Sequence, residues 1–317
     1  MHVPTPLLVL AILSPIALIT IPTSQLDRVI HHRLCRTTGP VCNGHADLCN
    51  RSYGNITFAG SHDSFTFTND TLQLARDQEV DIPTQLDFGI RLLQAQSHLW
   101  LGALHFCHTS NNLDGGKVAD YLTIVANFLD NNPNDVLTLL FTNPEGVSFP
   151  DVWAPLFESA GLVKYAYVPP RNPMPQSAWP TLGEMIANGE RLVVFIDYVG
   201  KDGRTVDYLL PEFGMIWETP YDMTDPSLPC SIDRIRGADV LSASNQMYLI
   251  NHEIDIIVSG ALVSDPVDAP TTNSVTSIIA HANRCLHFAN GRNPNFILFD
   301  FINLGEIFKA VDQLNRL

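Results

Sequence analysis

Short, almost wholly apolar runs recur along the chain, and a polar side chain ends each of them. Runs that are apolar at successive positions, rather than at alternate ones, are typical of strands buried on both faces of a parallel sheet. Eight runs have this character, at residues 56–62, 90–96, 103–108, 136–141, 191–196, 215–217, 247–250 and 296–299. The residue that ends each run, or one of the two residues that follow it, is Asp, Glu, His, Asn or Gln.

The segments between these runs predict helices. Apolar residues recur at helical spacing over 117–130, and comparable patterns occupy 71–88, 181–188, 274–288 and the end of the chain. Buried strands that alternate with helices predict an α/β fold, and eight of them predict a single TIM-type (β/α)8 barrel. The polar strand ends would then lie around one mouth of the barrel.

One connection does not suit a regular barrel. Only residues 97–102 separate the second predicted strand from the third. A crossover between parallel strands needs about a dozen residues, and usually a helix. We therefore expect an irregular barrel at this point.

The amino-terminal residues predict export. Residues 7–21 are apolar except at Ser14, Pro15 and Thr20. A run this short, and broken by proline, fits a secretory signal peptide better than a transmembrane helix. We therefore assign residues 1–24 to a signal peptide, with an uncleaved signal anchor as the alternative because the positive charge before the run is weak.

Cysteines and glycosylation motifs agree with export. The six cysteines are Cys35, Cys42, Cys49, Cys107, Cys230 and Cys285. Three of them fall within residues 25–50, which predicts a cysteine-rich extension ahead of a barrel at residues 51–317. Asn50, Asn55 and Asn69 each begin an Asn-x-Ser/Thr glycosylation motif. We expect a secreted glycoprotein with disulfide bonds.

Composition narrows the choice of partners. The chain has 317 residues, 45% of them hydrophobic, which is enough for a large core. Its 18 basic and 33 acidic residues give a net charge of −15. This charge argues against nucleic acid and against docking on anionic lipid through a basic patch. We expect a monomer with no stable membrane anchor.

Two histidines end predicted strands, and they are the first candidates for chemistry. The first strand runs into Gly60-Ser61-His62-Asp63-Ser64, and the third ends at Cys107-His108-Thr109. Catalytic groups of α/β barrels lie at the carboxyl ends of strands, and unperturbed imidazole titrates near neutral pH. The sequence has no G-x-S-x-G motif, which argues against an α/β-hydrolase.

These motifs resemble a known family. Gly60-Ser61-His62-Asp63-Ser64 and Cys107-His108-Thr109 are similar to the histidine motifs of the X domain of phosphatidylinositol-specific phospholipases C. The secreted fungal PLC-like phosphodiesterases are the closer resemblance, which extends from Cys42 to the carboxyl terminus. It is carried by Cys42-Asn43-Gly44-His45, Leu93-Gln94-Ala95-Gln96, Trp217-Glu218-Thr219-Pro220-Tyr221 and Asp300-Phe301-Ile302-Asn303.

The resemblance implies a fold and a set of roles. The fold is the PLC-like phosphodiesterase barrel. His62 would be the general base and His108 the general acid, which later activates water. Asp300, on the strand expected beside the first, would orient His62, and Asp63 would contact the substrate or its phosphate. The expected substrate-binding residues are Gln94, Gln96, Asn143, Trp217 and Glu218.

The chain differs from the family at the second-strand positions whose charged residues bind the metal ion or replace it. Calcium-dependent members carry acidic ligands on the second strand, and metal-independent members carry an Asp and an Arg there, whereas this chain has Gln94 and Gln96. Neutral amides are poor ligands for a hard cation, so we expect no metal cofactor. Strand alternation places Arg91 on the opposite face.

The charge that would stabilise the transition state must therefore come from elsewhere. Lys201, Arg204 and Arg292 are candidates from loops, and a relocated metal site at Asp197, Glu218 and Asp300 is a weaker alternative.

Three functions remain open. The first is a secreted phosphoric diester hydrolase or lyase that acts on a phosphoinositide or related phosphodiester in lipid metabolism. The second is a barrel with weakened activity that serves as a secreted binding protein. The third is a metal-dependent phosphodiesterase of the glycerophosphodiester or sphingomyelinase D kind. The retained histidine pair favours the first, and the two glutamines favour the second.

Overall fold

A computed structural model of the protein describes residues 40–108, 114–235 and 242–317. The signal peptide assigned to residues 1–24, Cys35 and Thr109 lie outside the described residues. The strands are β1 (Phe58–Ser61), β2 (Leu92–Ala95), β3 (Ser97–Trp100), β4 (Ala103–Cys107), β5 (Asp114–Lys117), β6 (Leu137–Phe141), β7 (Leu192–Ile196), β8 (Leu209–Pro211), β9 (Ile216–Glu218), β10 (Met247–Asn251), β11 (Asp255–Val258), β12 (Ala261–Ser264) and β13 (Phe296–Phe299).

An eight-stranded parallel sheet forms the centre, in the order β8-β7-β6-β2-β1-β13-β10-β9. The first strand lies beside the last, which is the neighbour relation of a barrel. In the part of the chain that the structure describes, the edge strands β8 and β9 do not pair with each other. The expected α/β barrel is therefore confirmed as a curled sheet that remains open at one seam.

One strand of the barrel was wrongly predicted. Residues 103–107 form β4, which pairs antiparallel with β3 and β5 in a separate small sheet. The physical reason is the short connection after β2, which permits a hairpin but no parallel crossover. The eighth barrel strand is instead β8, a run of three residues that is too short to stand out as a periodic pattern.

The helices are α1 (Ile82–Phe88), α2 (Val118–Asn131), α3 (Ala154–Ser159), α4 (Leu182–Asn188), α5 (Glu212–Met215), α6 (Ala269–Thr272), α7 (Val275–Cys285) and α8 (Ile307–Asn315). The helix predicted over 71–88 begins only at Ile82. Asp81 caps it through the Thr84 amide, and Pro83 lies in its first turn. Residues 71–81 are consequently loop above the mouth. None of the described helices combines the length and the apolar character that crossing a membrane requires.

The core has two parts, one on each face of the sheet. Neighbouring residues of one strand fall in different parts, as Leu92 and Leu93 do in β2 and Val193 and Val194 in β7. Alternate side chains of a strand point to opposite faces, so an uninterrupted apolar run is what a sheet covered on both faces needs.

Two disulfides are present, and one asparagine attaches the first described residues to the sheet. The pairs are Cys42–Cys49 and Cys230–Cys285, while Cys107 is a buried free thiol. The Asn43 side chain donates to the Val136 carbonyl oxygen at 3.1 Å and accepts from the Val136 amide at 2.7 Å. The Cys-Asn-Gly-His motif thus anchors the chain beside β6.

We expect Asn43→Ala to lower the free energy of unfolding by about 2–4 kcal/mol. It leaves the two Val136 backbone groups without their partner, and it puts alanine at a φ of +47°. Urea denaturation measures this change. Asn131→Ala, on the exposed surface of α2, is the control and should change stability by less than about 0.5 kcal/mol. Equal effects of the two substitutions would contradict the anchoring role.

Candidate active site

The pairing of β1 with β13 creates the first half of the site. Ser61 is in register with Phe299, so the next residue of each strand, His62 and Asp300, emerges at the same edge of the sheet. The His62 amide donates to the Phe299 carbonyl oxygen at 3.0 Å, which continues the ladder by one residue. His62 Nδ1 lies 2.8 Å from Asp300 Oδ1. The structure therefore brings His62 and Asp300 together, and their hydrogen bond fixes the orientation of the imidazole.

Asp63 is held by Gln94 of β2 and by Gln96, the residue that follows this strand. Its amide donates to Gln94 Oε1 at 2.7 Å, while the Gln96 amide and Nε2 donate to Oδ1 at 3.2 Å and Oδ2 at 2.9 Å. Asp63 is fully buried and has a φ of +34°. These bonds restrain a backbone conformation that few residues other than glycine adopt. Gln94 and Gln96, which we expected to bind substrate, thus have a positioning role toward Asp63.

His108 comes to the site from the side sheet. It follows β4, whose hairpin with β3 rises from the carboxyl end of β2. His108 Nε2 is 3.5 Å from Asp63 Oδ2, and His62 Nε2 is 3.9 Å from the same oxygen. Each of the two side chains is 20% exposed. The two rings therefore converge on one carboxylate oxygen, and both remain open to a ligand.

Asp77 is a site residue that sequence reasoning missed. Its Oδ2 lies 3.6 Å from His108 Nε2 and 2.8 Å from Thr66 Oγ1, and its Oδ1 accepts from Ser264 Oγ at 2.6 Å. It belongs to the segment that was predicted to be helical. The helix-start signal at Asp81 and Pro83 could have placed Asp77 in the loop.

Buried carboxylates control the charge of the site. Burial by itself would lower the pKa of His62, but Asp300, which is hydrogen-bonded to the ring, and Asp63 outweigh it and raise this pKa well above its ordinary value. Burial raises the pKa of Asp77 to about 7, with a further contribution from Asp300. It also raises the pKa of Asp63, against the opposing effect of the two histidines.

Glu253 lies behind the His62–Asp300 pair. It is buried, neither of its carboxylate oxygens has a hydrogen-bond partner among the described residues, and the same holds for Asp300 Oδ2. Glu253 and Asp300 line a cavity of about 10 Å³, which is room for one water molecule. Burial raises the pKa of Glu253 well above its ordinary range, although the nearby His62 opposes the shift.

The other expected substrate-binding residues lie away from the histidines. Asn143 is buried and organises its own loop through bonds to Val147 and Tyr198. Trp217 is fully buried, donates from Nε1 to the Ala243 carbonyl oxygen, and is therefore a core residue rather than part of the mouth.

Glu218 forms a second polar cluster at the open seam. It is buried and paired with Arg234, whose guanidinium lies 4.5 Å from the Tyr221 ring centroid. Asp197 accepts from the Asn143 amide at 2.6 Å. Among the described residues, Asp197, Glu218 and Asp300 form no metal-binding group, so the relocated metal site is not assembled.

Two of the cations proposed from the sequence have partners away from His62. Arg204 pairs with Asp151 at 2.6 Å on the surface, and Arg292 donates to the Ser244 carbonyl oxygen at 3.0 Å. Within the described ranges, no hydrogen bond or ion pair joins Lys201, Arg204 or Arg292 to His62. The described centre is therefore acidic, with the two imidazoles as the basic groups in contact with its carboxylates.

The calcium that the family resemblance suggests does not fit the family position. Gln94 and Gln96 are neutral, and both are hydrogen-bonded to Asp63. A different set of potential ligands involves Asp77. Its carboxylate lies within 4.8 Å of ligand atoms of His62 and Asp300, and within 4.8 Å of those of Asp63 and His108.

Comparisons with known proteins show what the chain is similar to. The PI-PLC X family model matches residues 48–315. An "Uncharacterized secreted protein" of Arthroderma benhamiae is 41% identical over 281 residues, covering 86% of this chain and 62% of the relative, so the chain spans less than two thirds of that relative's length. A "PI-PLC X domain-containing protein 1" of the same organism is 38% identical over 283 residues, which cover 87% of this chain and 90% of the relative.

Solved structures show the same fold. The phosphatidylinositol-specific phospholipase C of Listeria monocytogenes superposes with a TM-score of 0.53 at 12% identity, covering 85% of this chain and 95% of that one. A variant of the Staphylococcus aureus enzyme gives 0.55 at 14% identity, covering 84% and 94%. At such identities the likeness concerns the fold alone.

We expect Asp300→Asn to lower the pKa of His62. The substitution removes the carboxylate that raises this pKa and leaves the burial that lowers it. NMR titration of the His62 ring protons measures the change without any substrate. Glu145→Gln, which alters the separate His98–Glu145 pair, should leave the His62 pKa unchanged. An unchanged value in Asp300→Asn would show that this carboxylate does not set the charge of His62.

We expect Glu253→Gln to stabilise the protein above neutral pH. A carboxyl group whose pKa is raised by folding contributes stability that is present below its unfolded pKa and is lost as pH rises. The variant should match the wild type near pH 4 and exceed it at pH 8 by more than about 1 kcal/mol, which corresponds to one pKa unit. Urea denaturation at both pH values decides this, with Glu158→Gln on the surface as control. A variant less stable than wild type at pH 8 would refute the expectation.

Proposed function

Because this chain belongs to the PI-PLC X family, we propose that it is a secreted phosphodiesterase of the phospholipase C kind. Its substrate would be a phosphoinositide or a related phosphodiester that carries a hydroxyl next to the phosphate. The observation that carries the proposal is the convergence of His62 Nε2 and His108 Nε2 on a single oxygen of Asp63. Two imidazoles placed this way can act on opposite sides of one phosphorus atom.

In the first step, His62 removes the proton from the neighbouring hydroxyl, and that oxygen forms a bond to phosphorus. The bond from phosphorus to the leaving oxygen breaks, and His108 gives its proton to that oxygen. The products are a cyclic phosphodiester and an alcohol. In the second step, His108 removes a proton from water, which opens the ring, and His62 returns its proton to the released oxygen.

The first step requires a neutral His62. Because Asp300 and Asp63 raise the pKa of His62, the ring keeps its proton to a higher pH than an ordinary histidine does. The reaction rate should therefore rise with pH, and the midpoint of this rise should lie above the ordinary pKa of histidine. Asp300 opposes the loss of the proton but stabilises the imidazolium that forms when the hydroxyl is deprotonated.

Exposed apolar side chains around the mouth support a lipid substrate. Leu72 is 84% exposed, Leu101 87% and Ile257 69%. They lie on the segments that follow the carboxyl ends of β1, β2 and β10, at the same edge of the sheet as the histidines. Such residues around one opening are suited to contact with a lipid–water interface.

Export is part of the proposal. The three asparagines of the glycosylation motifs, Asn50, Asn55 and Asn69, are all exposed. The Cys42–Cys49 and Cys230–Cys285 disulfides are typical of an oxidising compartment.

A second candidate function rests on Asp77. Its carboxylate could complete a divalent-cation site with either histidine, which would suit a metal-dependent phosphodiesterase of the glycerophosphodiester or sphingomyelinase D kind. In that case His62 or His108 would be a ligand rather than a proton carrier. A chelator should abolish the activity of the metal-dependent enzyme and should leave the activity of the two-histidine enzyme unchanged.

We expect His62→Ala and His108→Ala each to lower kcat/KM on phosphatidylinositol vesicles by about 10²–10⁴, the usual contribution of a general acid or base. Activity on phosphatidylinositol and glycerophosphodiester panels, with and without EDTA, measures this. His287→Ala at an exposed position is the matched control and should retain full activity.

Three outcomes would contradict the proposal. Turnover that survives both histidine substitutions would remove the acid–base assignment. Turnover abolished by EDTA and restored by a divalent cation would favour the metal-dependent enzyme. Wild-type protein that binds these substrates but turns over none of them would favour a binding protein.

A further inference from the structure

Gln78, in the loop that follows β1, bonds to the ends of the two strands that lead into His62 and Asp300. Its side chain is fully buried. Its Nε2 donates to the His62 carbonyl oxygen at 2.8 Å and to the Phe299 carbonyl oxygen at 2.9 Å. Its Oε1 accepts from the Ile302 amide at 3.1 Å. One side chain therefore joins the backbone of His62 to the backbone on both sides of Asp300.

The strand ends need such a partner because the parallel ladder stops there. Between β1 and β13, the described ladder ends with the His62 amide, which donates to the Phe299 carbonyl oxygen at 3.0 Å. Beyond this bond, Asp63 has a φ of +34° and Phe301 has a φ of +49°. These left-handed conformations, which few residues other than glycine adopt, turn both segments away from the ladder. The Gln78 amide bonds the backbone groups at this point.

Gln78 is itself held in place by backbone bonds. Its amide donates to the Thr66 carbonyl oxygen at 3.2 Å, and its carbonyl oxygen accepts from the Thr68 amide at 3.1 Å. The carbonyl oxygen of the preceding residue, Asp77, accepts from the Phe301 amide at 2.7 Å. The side chain therefore extends from a restrained backbone, so it can fix the position of the strand ends.

A neutral amide suits this position chemically. It offers two N–H donors and one acceptor oxygen, which match the two carbonyl oxygens and the one amide that it meets. Because it carries no charge, it adds nothing to the buried carboxyl groups around His62. What it controls is the geometry of the bond between His62 Nδ1 and Asp300 Oδ1, which are 2.8 Å apart. Hydrogen bonds weaken steeply away from their preferred geometry, so a small movement of either strand end would weaken this bond.

We propose that Gln78 is a positioning residue for the two-histidine reaction, and that its amide fixes the geometry at which His62 meets Asp300. The proposal rests on the phosphodiesterase function proposed above. Gln78 bonds to backbone groups, so it acts through His62 rather than on the substrate. A displaced His62 would remove the proton of the attacking hydroxyl more slowly, while the substrate would bind as before.

Gln78→Met tests the proposal, because methionine has a similar shape and no amide. On soluble dihexanoyl phosphatidylinositol, it should lower kcat by about 10- to 100-fold and change KM by less than about twofold. It should also lower the pKa of His62, since a weaker bond to Asp300 raises this pKa less while burial still lowers it. NMR titration of the His62 ring protons measures this second effect without any substrate. A wild-type pKa of His62 in Gln78→Met would overturn the assignment.

Gln246→Met is the matched control. Gln246 is also fully buried, and its Nε2 also donates to a backbone carbonyl oxygen, that of Phe213 at 3.2 Å. It precedes β10, so it lies at the edge of the sheet opposite to the histidines. Gln246→Met should leave kcat and the pKa of His62 unchanged. Equal effects of the two substitutions on kcat would show that Gln78 serves stability alone and would refute the positioning role.

A second variant keeps the proposal testable if Gln78→Met does not fold. Near pH 5, the buried carboxyl group of Gln78→Glu should keep its proton. It then retains the acceptor oxygen and one of the two donors. At that pH its kcat should be lower than that of the wild type by about two- to tenfold, a smaller loss than with methionine. Full wild-type kcat in Gln78→Glu would count against the role of the amide.

The NMR measurement separates this proposal from the function on which it rests. If the wild type turns over no phosphodiester and Gln78→Met still lowers the pKa of His62, the catalytic proposal fails and the positioning role stands. If the wild type is active and Gln78→Met keeps the same kcat, the positioning role fails and the catalytic proposal stands.

Discussion

The pairing of the first barrel strand with the last is the interaction on which the site depends. Parallel hydrogen bonding sets Ser61 opposite Phe299, and the ladder continues through the His62 amide. This register brings His62 and Asp300, which are far apart in the chain, within hydrogen-bond distance. A slip by one residue would turn one of the two side chains to the other face of the sheet. The geometry of the His62–Asp300 pair and the assembly of the barrel therefore depend on the same strand register.

The second constraint is electrostatic. Asp63, Asp77, Asp300 and Glu253 are buried around two imidazoles. Burial raises the pKa values of Asp63, Asp77 and Glu253, and the Asp300 carboxylate raises the pKa of His62. A phosphodiester anion entering this centre must be met by protons on these groups or by a bound cation. The charge state of the free site and that of the substrate complex are therefore expected to differ.

The irregular part of the barrel gives the site its asymmetry. Where a regular barrel would continue with a parallel strand, the chain turns back and forms the β3–β4–β5 sheet. His108 follows β4 of that sheet, so it reaches the mouth from outside the strands of the barrel. The sheet also supplies Gly115, which approaches the Phe65 ring so closely that a Cβ atom would not fit. The proposed base thus belongs to the barrel and the proposed acid to the side sheet.

The apolar strand pattern was enough to predict the α/β barrel and the sheet edge where the polar strand ends collect, because burial on both faces of a sheet requires uninterrupted apolar runs. The motif resemblance added the expectation that His62 and Asp300 lie together. That residues 103–107 leave the barrel and that β8 replaces them could be seen only in the folded chain, since three residues carry no period. The tertiary structure also decided that Asp77 enters the site and that Gln94 and Gln96 serve Asp63. Loop side chains are placed by packing between segments distant in sequence, and no local pattern records those contacts.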